Sequence, residues 1–118
     1  MSMFCEQIQR VLPEVVKLRR DLHASPELSF KEHNTSRRIR TMLQGLPNVR
    51  VLPPYIETDV VAVLNPDREG PCVALRADID ALPIVEENDI PYKSQVPGAM
   101  HACGHDGHIS VLMGAAMV

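Results

Sequence analysis

Residues 100–108 read Met-His-Ala-Cys-Gly-His-Asp-Gly-His. Three histidines, one cysteine and one aspartate fall within eight positions, 101 to 108. Imidazole, thiolate and carboxylate are the donors of zinc, manganese, cobalt and nickel sites. A lone histidine says little, but five candidate donors so close together point to metal. If the segment is extended, residues 101, 103 and 105 project to one side, because side chains alternate with period two. Cys103 and His105 could then reach one metal centre together. Gly104 and Gly107 let the backbone bend. Asp106 is placed to cap the helix that follows or to orient a histidine. The competing readings are a polar loop that binds nothing and a structural zinc site made from these residues alone. The latter lacks the second, loop-spaced ligand pair usual in zinc fingers.

A second group is Asp78-Ile79-Asp80-Ala81-Leu82-Pro83. It ends an apolar run, where carboxylates are costly unless paired or bound to metal. Asp78 and Asp80 are expected to face the same side, as groups that touch a metal or hold a histidine ligand in one tautomer. The alternative is a turn that simply uses aspartate. A third group, His23-Ala24-Ser25-Pro26-Glu27, reads as a helix terminus with a polar cap. Glu86 and Glu87 read as loop charges without a visible partner.

The elements that must position these groups follow from periodicity. Ile8, Val11, Leu12, Val15, Leu18 and Leu22 recur at three- and four-residue steps, an amphipathic helix over about residues 4–23. Pro13 lies inside it, and Pro26 disfavours helical geometry at Ser25. Ser29 and Glu32 fit a capping box for a second helix through Ile39, Met42 and Leu43, with Gly45 as its stop. Arg37, Arg38 and Arg40 are expected on its solvated face. Residues 49–52, 59–64 and 72–77 are apolar, β-branched runs expected as strands. The last two are expected to be buried and to form an antiparallel hairpin, or neighbours in a sheet, around the turn at residues 65–71. Residues 84–100 read as irregular. A final helix begins near Asp106 and runs through Ile109, Leu112, Met113 and Ala116, reaching Val118 uncapped.

Composition narrows the function classes. The chain has 118 residues, with 12 basic against 15 acidic side chains and a formal charge of −3. No basic excess is available for a polyanion, so nucleic acid is excluded as a partner. With 45% apolar and 23% charged residues, the chain has the balance of a folded domain. No run approaches the roughly 20 apolar residues of a membrane span, so no membrane partner is expected. The start, MSMFCEQIQR, has no secretory h-region. Cys5, Cys72 and Cys103 are odd in number and widely spaced, which suggests reduced thiols and a cytoplasmic location.

Taken together, residues 22–30 (Leu-His-Ala-Ser-Pro-Glu-Leu-Ser-Phe), 74–84 (Ala-Leu-Arg-Ala-Asp-Ile-Asp-Ala-Leu-Pro-Ile) and 97–108 (Pro-Gly-Ala-Met-His-Ala-Cys-Gly-His-Asp-Gly-His) are specific. In order and spacing the chain resembles the N-terminal part of the metal-dependent amidohydrolases of the aminoacylase and carboxypeptidase superfamily. The branch it looks like holds hippurate hydrolases, N-acyl-amino-acid amidohydrolases and auxin-conjugate hydrolases. The resemblance runs from about Leu18 onward.

The resemblance implies an α/β fold, the N-terminal portion of a zinc-peptidase-like catalytic domain with a mixed central sheet flanked by helices. It implies that residues 1–118 are the opening of that domain. The inserted dimerisation or lid domain and the C-terminal half would then be absent. It implies two divalent ions (Mn, Zn, Co or Ni), a small N-acyl amino acid as substrate and a homodimer in the full-length protein. Cys103 takes the position of the thiolate that bridges the two ions, and His105 that of a terminal ligand. Asp80 matches the aspartate that supports the metal ligands from behind. Asp78 stands where other branches have a metal-binding histidine and takes no ligand role. The reaction implied is metal-assisted amide hydrolysis, with a glutamate of a later Glu-Glu motif as general base. Glu86-Glu87 precedes Cys103 and is not that motif. The remaining ligands, a glutamate and two histidines, also belong to later segments, so the chain alone is expected to be inactive. The alternatives are a metallo-carboxypeptidase or aminopeptidase of the same superfamily, and a truncated, non-catalytic metal-binding protein.

Overall fold

Helix α1 spans Met3–Ala24, and its first turn is capped by Ser2, whose hydroxyl accepts from the Cys5 amide. Pro13 sits inside the helix without ending it. In this computed structural model, which describes residues 2–118, α1 is followed by α2 (His33–Gln44), β1 (Val49–Val51), β2 (Ala62–Leu64) and α3 (His105–Met117). The apolar stripe of α1 is buried only in its second half. Leu18 and Leu22 are buried, whereas Ile8 and Leu12 remain exposed.

Leu18 and Leu22 join Ile39 and Leu43 from α2 and Ile109 and Met113 from α3 in one core. Burying an aliphatic side chain of this kind contributes about 1.5–3 kcal/mol. The α1–α3 contact is close because Gly114 faces Val15; a Cβ at 114 would lie 2.9 Å from Val15 Cγ2.

Helix α2 begins differently from the expected capping box. Glu32 occupies the N-cap without a side-chain cap bond, and its carboxylate accepts from the Phe30 amide instead. The orphan amides of the first turn go to Glu27, which accepts from Asn34 N at 3.0 Å and Thr35 N at 2.8 Å. A carboxylate there also answers the positive end of the helix dipole. Burial works to raise the Glu27 pKa, but the Thr35 and Asn34 hydrogen bonds outweigh it and lower it. Helix α2 stops at Gly45 as expected. Arg40 does not lie on a solvated face. Its guanidinium donates to the Leu52 and Asp59 carbonyls, both at 2.7 Å, and ties α2 to the β1–β2 connection.

The architecture is α/β, but the strand pairing differs from expectation. β2 turns back on β1 as an antiparallel pair, Val49 opposite Leu64 and Val51 opposite Ala62. Residues 72–77 do not pair with β2 and form no strand. Val73 and Leu75 are 81% and 69% exposed, so the expected burial of this run is not met. An apolar run is a strand only when neighbouring strands and helices cover it, and among the described residues none does.

Candidate metal centre

The extended segment after residue 77 is pinned at its far end by two isolated bridges, Leu28 with Ala81 and Leu82 with Met100. Ala81 N donates to the Glu27 carbonyl at 2.8 Å. Leu82 and Met100 exchange backbone hydrogen bonds at 2.9 and 3.0 Å. Residue 80 is thereby held beside the chain that enters α3.

His105 is the first residue of α3. Its Nδ1 lies 2.9 Å from the Asp80 carbonyl oxygen and 3.0 Å from Asp80 Oδ1. The carbonyl only accepts, so Nδ1 carries the proton and donates, leaving Nε2 with its lone pair. That is the tautomer a metal-ligating histidine uses, fixed by the partner that metal-binding histidines commonly have. Of the two aspartates, only Asp80 joins His105. Asp78 is exposed and pairs with Arg76, so the pair does not act on one side together.

The segment before α3 is not extended. Residues 102–103 form a turn, the Gly104 amide donates to the His101 carbonyl at 3.3 Å, and Gly104 adopts φ 77°. That left-handed conformation suits glycine and reverses the chain so that the helix can start. Period-two alternation therefore does not apply. His101 is buried, Cys103 is exposed as a free thiol, and His105 is half-buried. The His101 ring has no hydrogen-bond partner on either nitrogen, and burial lowers its pKa against the opposing charge of Asp106. The His108 ring lies 6.0 Å from that of His105, centroid to centroid. Among the described residues no three His, Cys, Asp or Glu side chains converge where they could hold a metal ion. The donor chemistry of Cys103 and His105 Nε2 nevertheless fits part of a divalent site.

Two residues dismissed from the sequence are built into this region. His23, read as a helix terminus, is 3% exposed, and Glu86, read as a loop charge, is 4% exposed. His23 Nε2 lies 2.9 Å from Glu86 Oε1, and His23 Nδ1 lies 2.7 Å from Asp106 Oδ2. Asp106 is fully buried and also meets Arg19 Nε at 3.0 Å. It thus orients a histidine, but that histidine is His23, and no side chain caps α3. Glu86 Oε2 accepts from the Ser94 amide at 2.6 Å. Burial would raise the Glu86 pKa; the Ser94 amide, His23 and Asn88 outweigh it and hold it at about 2. His23 and Asp106 are 83 positions apart, beyond any periodicity signal. The only trace of the network in the sequence is that His23 and Asp106 stand in stretches that carry the family resemblance.

Residues 74–118 match the sequence model of peptidase family M20/M25/M40. The chain is 46% identical over 105 residues to an N-acetylcysteine deacetylase of Bacillus subtilis, covering 88% of this chain and 27% of that protein. It is 45% identical over 117 residues to an N-acyl-L-amino acid amidohydrolase of Geobacillus stearothermophilus, covering 96% of this chain and 31% of the relative. The crystal structure of a dinuclear metal binding peptidase of the M20 family from Bacillus subtilis superposes with a TM-score of 0.86 at 44% identity. That match covers 92% of this chain and 30% of the other. The chain therefore spans between a quarter and a third of the length of these relatives.

Proposed function

We propose, from the match of residues 74–118 to the model of peptidase family M20/M25/M40, that the chain is the N-terminal part of the catalytic domain of a metal-dependent amidohydrolase acting on N-acyl amino acids. One observation carries the site: the His105 imidazole commits its Nδ1 to Asp80 and so leaves Nε2 available, two positions after the exposed Cys103 thiol in the chain. The names of the relatives support the substrate class, since both act on N-acylated amino acids.

In this reading Cys103 and His105 hold the metal, and Asp80 is the positioning residue that keeps His105 in one tautomer. Two divalent ions, when bound, supply Lewis-acid chemistry, making water more acidic and polarising the scissile carbonyl. Asp80 contributes twice, through its carbonyl and its carboxylate, so the imidazole is orientated before any ion arrives. Cys103 serves as a thiolate donor, which its exposure permits. The location is cytoplasmic, because three free thiols suit a reducing compartment. No helix among the described residues is long and apolar enough to cross a membrane.

The 118-residue chain by itself is inactive in this reading, because no three donors converge among the described residues and no general base is assigned among them. In this reading the general base, the remaining ligands, an inserted domain and a dimer contact are features of the longer protein. The test is release of free amino acid from N-acetyl amino acids by the complete gene product loaded with Mn²⁺. Turnover is expected, and Cys103→Ala should abolish it. Unchanged turnover in that variant, or hydrolysis by the 118-residue chain alone, overturns this reading.

A further inference from the structure

His23 does something the metal reading leaves unexplained. It is an α1 side chain, 3% exposed, with a carboxylate on each ring nitrogen. Glu86 is ionised at neutral pH and can only accept, so Nε2 donates. Asp106 Oδ2 lies 2.7 Å from Nδ1 and is also ion-paired with Arg19 Nε at 3.0 Å. Both ring nitrogens are thus taken by carboxylates, Nε2 by Glu86 and Nδ1 by Asp106. Buried ions persist only when paired and hydrogen-bonded in this way.

The network joins three pieces of chain. Arg19 and His23 come from α1, and Asp106 is the residue next to His105 at the start of α3. Glu86 belongs to the loop whose Ser94 amide it binds. Tyr92 of the same loop meets the His23 ring edge-on at 5.7 Å, and both Arg19 and Arg20 lie over its face at 5.2 and 5.1 Å. Helix α3 has no side-chain cap, and its N-cap Gly104 is conformationally permissive. No side chain caps α3, and the buried Asp106 ties its first turn to α1.

We propose that His23 is a positioning residue: a bridging imidazole that locks Asp106 to Glu86 and so fixes the start of α3 and the direction of the His105 ring. The functional meaning rests on the reading of His105 as a metal ligand, but the geometry can be tested without metal.

The test is a two-bond ¹H–¹⁵N correlation spectrum of the 118-residue chain carrying ¹⁵N-histidine, at neutral pH and free of metal. The expected spectrum has His105 as the single tautomer with a bare Nε2. In His23→Gln, with helix content retained by circular dichroism, the His105 signals should lose that single-tautomer pattern. An unchanged His105 pattern in folded His23→Gln overturns the proposal, because it would make His23 merely structural. If His23→Gln does not fold, the variant His23→Gln/Glu86→Gln removes both members of the His23–Glu86 contact together, and the same loss of the His105 pattern is expected. Failure of the wild-type chain to bind a metal would remove the metal reading alone, since no metal enters this measurement.

Discussion

Replacing Gly114 by alanine tests the packing that sets α3 against α1. The added Cβ would stand 2.9 Å from Val15 Cγ2 and 3.8 Å from Cγ1. Carbon atoms prefer about 3.5–4.0 Å, so roughly half an ångström or more must be found. Val15 is β-branched and in a helix has one strongly preferred rotamer, so its methyl cannot swing aside freely. Overpacking of this kind costs about 1–3 kcal/mol. Against it, alanine in a helix interior gains about 1 kcal/mol over glycine. The net effect is a destabilisation between about zero and 2 kcal/mol, read as a lower urea midpoint by far-ultraviolet circular dichroism. The decisive comparison is with Val15→Ala as background. There the obstructing methyls are gone, and Gly114→Ala should become stabilising by up to about 1 kcal/mol. A Gly114→Ala that stabilises equally in both backgrounds would refute the close α1–α3 contact and the placement of His105 that depends on it.

Two further outcomes follow from the polar groups. The folded-state pKa of Glu86 is depressed from 4.5 to about 2, so its contribution to stability is complete above the unfolded value and is lost as pH falls through that window. Urea midpoints should drop between about pH 4.5 and 2, and Glu86→Gln should flatten that slope; an unchanged slope would show that the Ser94 and His23 hydrogen bonds do not hold the carboxylate. Asp80→Ala removes one of two acceptors on His105 Nδ1 and leaves the backbone carbonyl at 2.9 Å. Loss of an outer hydrogen-bond partner costs 10–100-fold in metal affinity. With one acceptor kept, about tenfold or less is expected in a cobalt titration, and a loss beyond 100-fold would mean that Asp80 touches the metal itself.

The sequence made the helices and the metal motif legible because both are local patterns. The stripe through Leu18 and Leu22, the stop at Gly45 and the start of α3 near Asp106 each need only a few residues of context. Cys103, His105 and Asp80 stood out by residue type, and the family resemblance joined them into one order. What could not be read depends on contacts between distant segments. The capping box at Ser29 failed because Glu27, brought round by the turn after α1, reaches the α2 amides first. The run at residues 72–77 has strand composition, yet β2 found β1, its nearer antiparallel partner. The alternation drawn through residues 101–105 missed the left-handed Gly104 that reverses the chain. His23 and Glu86 looked ordinary because their partners lie 83 and 63 positions away.

Cobalt binding to the 118-residue chain tests the central claim most directly. Cys5, Cys72 and Cys103 are all free and exposed, so a thiolate-to-cobalt absorption must be assigned by mutation. The expected result is weak binding of a single ion with a thiolate charge-transfer band, lost in Cys103→Ser and in His105→Ala. An affinity and band unchanged in Cys103→Ser would contradict it and remove Cys103 from the site.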